Sequence, residues 1–423
     1  MNKVFKPKII ETLKDYSLKK LANDVVAGII VAIIALPLSI ALALASGVTP
    51  EKGIYTAIIA GLVISLLGGS RVNISGPTAA FATIVAGIVY NEGIDGLIIA
   101  TIMAGIILIL MGLFRVGALI KYIPHSITTG FTSGIAVTIL IGQIKDFLGL
   151  TFPEGTPNIE TSEKFAAVID NISTIDVMAL IIGVIGLVIL ILWPKISKKI
   201  PGSLIAVILG TLIVALFMDG IKTIGDIGEI NNSLPSFNLP EITKDKILNL
   251  LPDAFTIAIL AAIESLLSCV VSDSMIDDKH NSNTELIAQG VGNVCSGLFG
   301  GIPATGAIAR TAANVKNGGR SPVSGIVHAI VLILVLVILM PYASLIPMPI
   351  IAAILFMVAY NMSEWREFVK ICKNDHWTDI AVLILTFALT VVFDLVVAIA
   401  IGMVLHLIKT FILNKTKNNK EAA

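Results

Sequence analysis

Apolar runs of membrane length recur along the chain, at residues 25–45, 96–114, 177–193, 203–217 and 323–340. Crossing hydrocarbon as a helix takes roughly 20 apolar residues, and a spanning backbone must satisfy its own hydrogen bonds, which leaves helices or a closed barrel. The runs lack the period-2 alternation of barrel strands. They read as helices. Of 423 residues, 56% are hydrophobic and only 14% charged, whereas soluble domains carry about a quarter charged residues. The expected fold is therefore an all-α polytopic membrane protein with about 14 transmembrane segments, several of them short or broken.

Basic residues set the orientation, because cytoplasmic connections carry the excess of lysine and arginine. The amino end holds Lys3, Lys6, Lys8, Lys14, Lys19 and Lys20, and the carboxyl end holds Lys409, Lys415, Lys417 and Lys420. Both termini are expected in the cytoplasm of a multi-pass plasma-membrane protein. Arg71, Arg115, Lys121, Lys195, Arg310, Lys316, Arg320, Arg366 and Lys370 fall in connections on the same side, while 151–176 and 219–249 lean acidic and are expected outside. Residues 1–22 read as a cytoplasmic segment, 23–413 as the transporter domain and 414–423 as a solvated tail. The first apolar run is too long, and followed by too many others, for a cleaved signal peptide. With 29 basic and 29 acidic residues, the chain calls for no nucleic-acid partner. Cys269, Cys295 and Cys372 lack metal-ligand spacing, so neither metal nor cofactor is expected.

A Gly-Gly pair followed by a proline among small residues occurs twice, in LLGGSRVNISGPTAAF ending at Phe81 and in LFGGIPATGA ending at Ala307. Pro303 lies 226 positions after Pro77, and Asp253 lies 229 after Asp24. Two features at nearly one offset suggest an internal repeat, and about seven segments per half would invert the second half against the first. Proline suits the first turn of a helix, where its missing N–H has no intrahelical partner. Pro77 and Pro303 are thus expected to open two short half-helices that meet at the membrane midplane. Their unpaired N–H groups and dipoles would attract an anion without a buried arginine or lysine. Thr78 and Thr305 would add hydroxyls, Ala79, Ala80, Gly306 and Ala307 would let a ligand approach the backbone, and Phe81 would wall the pocket. The competing reading is that these small residues only let helices pack closely.

Glu264 stands inside an apolar run that ends at Asp273. An intramembrane carboxylate is costly and usually faces a cavity that serves transport. Such a group can take up a proton as an anion arrives. Ser268, four residues on, shares its helix face and completes the expected coupling-ion pair; a structural polar contact between helices is the alternative. His125, His328 and His406 each stand alone and read as packing residues, and Asp394 as a turn residue. Arg310 and Arg320 are assigned to the cytoplasmic end of the second half-helix, where orientation and snorkelling account for them as well as anion attraction does.

These stretches closely resemble bacterial members of the sulfate permease (SulP) anion transporter family. The resemblance runs from residue 23 to about 412 and is carried by residues 35–81 and by the HNSN, FGGIPATGAIART and NGGR blocks within 261–329. It implies two inverted repeats of seven segments, a core domain (about 23–116 and 250–341) and a gate domain (about 117–218 and 345–413) that supplies a homodimer contact. It also implies a substrate site between the third and tenth segments, and a cation-coupling role for Glu264. Three departures stand out. The sequence stops short of the cytoplasmic STAS domain usual in the family, so none is expected. Glu264 occupies a position where sodium-coupled bicarbonate carriers have aspartate, which favours a proton. Leu38 follows Pro37 where many anion exchangers have glutamine.

The expected function is secondary active transport of a small anion, with sulfate favoured, by proton symport and elevator-type alternating access. Sodium-coupled bicarbonate transport, proton-coupled dicarboxylate transport and a passive anion channel stay open. A nucleobase carrier would need more polar side chains at the helix starts. An enzyme is not expected, since the chain has no H-E-x-x-H, no paired intramembrane aspartates, and no serine with a plausible histidine base nearby.

Overall fold

The structure is a computed structural model that describes residues 5–118, 124–153, 155–157, 160–197, 200–218, 220–227, 230–374 and 376–392. Helices α1 (Lys8–Thr12), α2 (Leu18–Ala45) and α3 (Pro50–Leu67) lead to a two-residue strand β1 (Ser75–Gly76), then α4 (Ala82–Leu113), α5 (His125–Leu148), α6 (Thr161–Asp170), α7 (Val177–Ile196) and α8 (Gly202–Phe217). Helices α9 (Lys244–Ile276) and α10 (Ser282–Leu298) lead to strand β2 (Thr305–Gly306), followed by α11 (Ile308–Lys316), α12 (Val323–Leu339), α13 (Met348–Met362), α14 (Trp365–Asn374) and α15 (Trp377–Val392). Among the described residues, eight helices are long and apolar enough to cross a membrane, and Gly202–Phe217 and Trp377–Val392 are shorter apolar helices. The polytopic helical fold is as expected. The full segment count depends in part on residues 393–423, outside those described, as do Asp394 and His406.

Local chemistry sets several boundaries. Ser17 opens α2 by accepting from the Lys20 amide at 3.3 Å, so the helix that holds the first apolar run starts at Leu18. Asp176 caps α7 and Asn281 caps α10 in the same way. The connection 151–176, expected to be merely polar, contains α6, which carries a capping box between Glu160 and Glu163. Helix α4 is two arms joined at Gly93, whose φ of 69° and ψ of −170° suit glycine alone. The arm before Gly93 is the short half-helix that follows Pro77.

Strands β1 and β2 pair antiparallel, Ser75 with Gly306 and Gly76 with Thr305. Here the expectation needs correcting. Neither proline sits in a helix's first turn: a 3-10 turn begins at Ala79, two residues after Pro77, and α11 begins at Ile308, five after Pro303. Each chain instead stays extended long enough to exchange backbone hydrogen bonds with the other, and turns helical only beyond the ladder. The two starts are thus held side by side by main chain rather than by packing alone.

The helices sort into two packing groups. Helices α2, α3, α4, α9, α10, α11 and α12 pack on one another, as do α5, α7, α8, α13 and α15, with α2 making most of the contacts between the groups. Glycines permit a close crossing between the second arm of α4 and α10: a Cβ on Gly105 would lie 2.6 Å from the Gly290 carbonyl, and one on Gly290 would lie 2.5 Å from the Gly105 carbonyl. Backbone meets backbone there and cannot yield as a side chain can. Gly290→Val is expected to cost about 3 kcal/mol by overpacking and to lower the melting temperature of detergent-solubilised protein, which a thermal shift measurement checks.

Candidate functional site

Helix α9 lies against β2 and α11. It carries Glu264, whose Oε2 accepts a hydrogen bond from Thr78 Oγ1 at 2.9 Å. The neighbouring residue, Pro77, accepts at its carbonyl from Arg310 Nη2. Two consecutive backbone positions thus bind an acid on one side and a base on the other, and the two charges act on each other across them. Arg310 is only 3% exposed and its Nη1 has no hydrogen-bond partner among the described residues. A Cβ on Gly76 would lie 2.5 Å from that nitrogen, so this glycine makes room for the guanidinium. The sequence reading placed Arg310 at a cytoplasmic helix end; instead, α11 turns it inward, one turn from the helix start, and the site does contain a buried arginine.

The other expected residues divide. Ala79, Ala80 and Phe81 form the buried 3-10 turn ahead of α4, and neither this turn nor α11 has a side-chain cap at its start. First-turn N–H groups without a cap are what an anion can bind. Ala307 precedes Ile308, which is 41% exposed, so the start of α11 borders open space. The Thr305 hydroxyl is committed to α9, bonding the Ala261 carbonyl at 3.1 Å and Ser265 Oγ at 2.7 Å, while the Gly306 N–H donates to Ser265 Oγ at 3.0 Å. Ser268 does not join Glu264: it donates to Asn73 Oδ1 at 2.7 Å and to Thr311 Oγ1 at 3.1 Å. The i+4 rule named the right helix face, but tertiary neighbours chose the partner.

A layer of buried polar groups behind the strands escaped the sequence reading. Glu285 of α10 is fully buried and accepts four hydrogen bonds, from the amides of Gly69 and Ser70 at 2.8 and 3.2 Å, from Asn73 Nδ2 at 2.7 Å and from Gln289 Nε2 at 3.0 Å. Gln289 Nε2 also donates to Ser75 Oγ at 2.9 Å, and Asn293 pairs with both backbone groups of Ala304. The signal was present as Glu285, Gln289 and Asn293 at i, i+4 and i+8 on an otherwise small and apolar face. His328 is fully buried with neither ring nitrogen hydrogen-bonded among the described residues.

One expected absence fails in detail. Asp273, His280 and Ser282 do form a Ser-His-Asp chain, with His280 Nδ1 2.7 Å from Asp273 Oδ2 and Nε2 2.9 Å from Ser282 Oγ. Asp273 Oδ2 also accepts from the His280 amide at 2.9 Å, and Ser282 Cβ lies where a Cβ on Gly117 would be 3.0 Å away. These bonds tie the turn between α9 and α10 together close to Gly117.

A cavity of about 660 Å³ adjoins the first arm of α4. Ala82, Thr83 and Ala86 line it, opposite residues of α5, α6 and the connection after α8.

Comparison with known proteins places this arrangement. The sulfate permease family model matches residues 21–386. YvdB of Bacillus subtilis (strain 168), provisionally named a sulfate transporter, is 48% identical over 398 residues, spanning 93% of this chain and 74% of that protein. The bicarbonate transporter BicA of Synechocystis is 34% identical over 396 residues, 91% of this chain and 69% of BicA. The solved transmembrane domain of a cyanobacterial BicA superposes with a TM-score of 0.82 at 32% identity, covering 91% of this chain and 98% of that one. Murine Slc26a9, at 19% identity, shares the fold with a TM-score of 0.87 over 96% of this chain and 71% of its own. The chain belongs to the sulfate permease family of membrane anion transporters, and it is a transporter rather than an enzyme.

Proposed function

We propose that the protein is a secondary active transporter of a small anion, with sulfate the favoured substrate, driven by proton symport. The observation that carries this reading is the pair of uncapped helix starts held together by the β1–β2 ladder, with Arg310 on one side and Glu264 on the other. In this reading the anion binds beside Ala79, Ala80, Phe81 and Ala307, at the first-turn amides that remain free once the Phe81 and Ala307 N–H groups have donated to the Thr78 and Ile74 carbonyls, with Thr78 and the backbone of Thr305 and Gly306 at its edge, and Arg310 supplies the net positive charge. Glu264 accepts a proton as the anion settles, and Ser268 acts indirectly, by holding Asn73 and Thr311 behind the strands. The two packing groups correspond to a core that carries the site and a gate it moves against. The matching contacts α2 with α12 and α9 with α4, and α3 with α12 and α10 with α4, support an inverted repeat. Plasma-membrane placement, cytoplasmic termini and a homodimer complete the proposal.

Bicarbonate is the second candidate, because relatives at 32% and 34% identity are named bicarbonate transporters. Proteoliposome uptake of labelled sulfate, bicarbonate and fumarate, each with and without a pH gradient and with and without sodium, separates these readings. Expected is sulfate uptake that rises when the outside is acidic, and that loses this dependence in Glu264→Gln. Equal pH dependence in both proteins removes Glu264 from coupling, and a sodium requirement replaces the proton.

A further inference from the structure

The cavity beside α4 receives charge from three separate elements. Lys145 near the end of α5, Lys164 on α6 and Lys222 after α8 all line it, together with Asp146 and Asp226. Asp226 is occupied: its Oδ2 accepts from the Thr223 amide at 2.7 Å and from Thr223 Oγ1 at 2.9 Å, and these bonds hold its carboxyl below the usual range while closing a turn. Asp146 stands within the influence of both Lys145 and Lys222. Lys145 also rests over the Phe152 ring, 4.6 Å from its centroid.

Lys164 differs from the other two. Its stem lies against α5 beside Gly142, and it forms no ion pair with any described residue. The charge that acts on it is that of its chain neighbour Glu163, and burial pulls its amine below lysine's ordinary range. With no ion pair among the described residues, this partly desolvated ammonium facing an open cavity has its burial offset only in part, by the more distant charge of Glu163.

We propose that Lys164, with Lys145 and Lys222 around it, forms an outer docking site for small inorganic anions, separate from the site between the half-helices and leading to it along Ala82, Thr83 and Ala86. The lining carries three lysines against two aspartates, a positive excess rather than a single sign; clefts with low-dielectric walls and such an excess concentrate counter-ions, and the strongest of them raise arrival rates by about 10- to 1000-fold. Lysine is a compact point charge without arginine's two-pronged geometry, so it attracts halides and oxyanions alike and releases them readily. Selection is left to the inner site. Only the docking site's place ahead of that inner site rests on the transport reading above.

The test reads the local potential without transport. Ala86→Cys puts a thiol into the cavity, and its modification rates with the anionic sulfonatoethyl and the cationic trimethylammonioethyl methanethiosulfonates are measured on the full-length protein, corrected for the parent with its own cysteines. The anionic reagent is expected to be favoured relative to a free small thiol. That preference is expected to fall about 5-fold when Lys164→Gln is added, to survive Lys164→Arg, and to weaken as salt rises. An unchanged preference in Lys164→Gln overturns the proposal, and so does a thiol that neither reagent reaches. In parallel uptake assays Lys164→Gln is expected to raise KM several-fold at low ionic strength with kcat retained. Failure of sulfate or bicarbonate uptake in the parent would instead strike the transport reading and leave the thiol result standing.

Discussion

Arg310→Met is expected to cut the initial uptake rate at least about 100-fold while the protein still reaches the membrane. The arginine is 3% exposed, donates to the Pro77 carbonyl and, among the described residues, has no partner for Nη1 beside Gly76. Removing it deprives a bound anion of its nearest cation and leaves Glu264 without a counter-charge. Breaking one side of a fully buried charge pair typically costs about 3–5 kcal/mol; Glu264 is only half-buried and meets Arg310 across residues 77 and 78 rather than in direct contact, so a smaller loss is expected here. Stability and transport should therefore separate in a double-mutant cycle. Adding Glu264→Gln to Arg310→Met is expected to restore much of the lost melting temperature, since neither charge remains, without restoring uptake. Arg310→Met protein that transports at the parent rate would remove the guanidinium from the site.

The second large effect lies one layer further back. Glu285→Leu is expected to leave little monodisperse protein after solubilisation. Four donors converge on this carboxylate, two of them amides of the Gly69–Ser70 turn that leads into β1. Each buried donor left without an acceptor costs about 1–3 kcal/mol, so the sum approaches the roughly 5–15 kcal/mol by which whole domains are stable. Glu285→Gln keeps the shape and one acceptor but turns an amide toward existing donors, and should fall between the two. Size-exclusion profiles and thermal melts of the three proteins test this order; a parent-like profile for the leucine variant contradicts it.

How much of this was legible depended on whether a residue had one physical explanation or two. Pro77 and Pro303 inside apolar sequence, at nearly the offset that separates Asp24 from Asp253, pointed to the two segments that do pair, and the register of Gly76 with Thr305 lies beside those prolines. The exact helix starts were not legible, because proline is equally at home in the extended link before a helix. Arg310 was misplaced for a related reason. A basic residue one turn into a short helix can face water or protein, and only the direction of α11 decides. For Ser268 the periodicity gave the face correctly, yet Asn73 and Thr311, distant in sequence, supply its partners. Glu285 and Gln289 went unread because their partners come from a segment more than 200 residues away, and Asn293 because its partner, the Ala304 backbone, lies beyond the end of its helix.

The β1–β2 ladder has a consequence for directionality. Because Ser75–Gly76 and Thr305–Gly306 are joined through their main chains, the halves of the pocket cannot separate without losing those bonds. At the proposed site, an ion arriving from either compartment would therefore meet the same amides in the same arrangement. Any asymmetry between uptake and efflux has to arise in the approaches on each side, where lysines and aspartates differ, and in the proton balance across the bilayer.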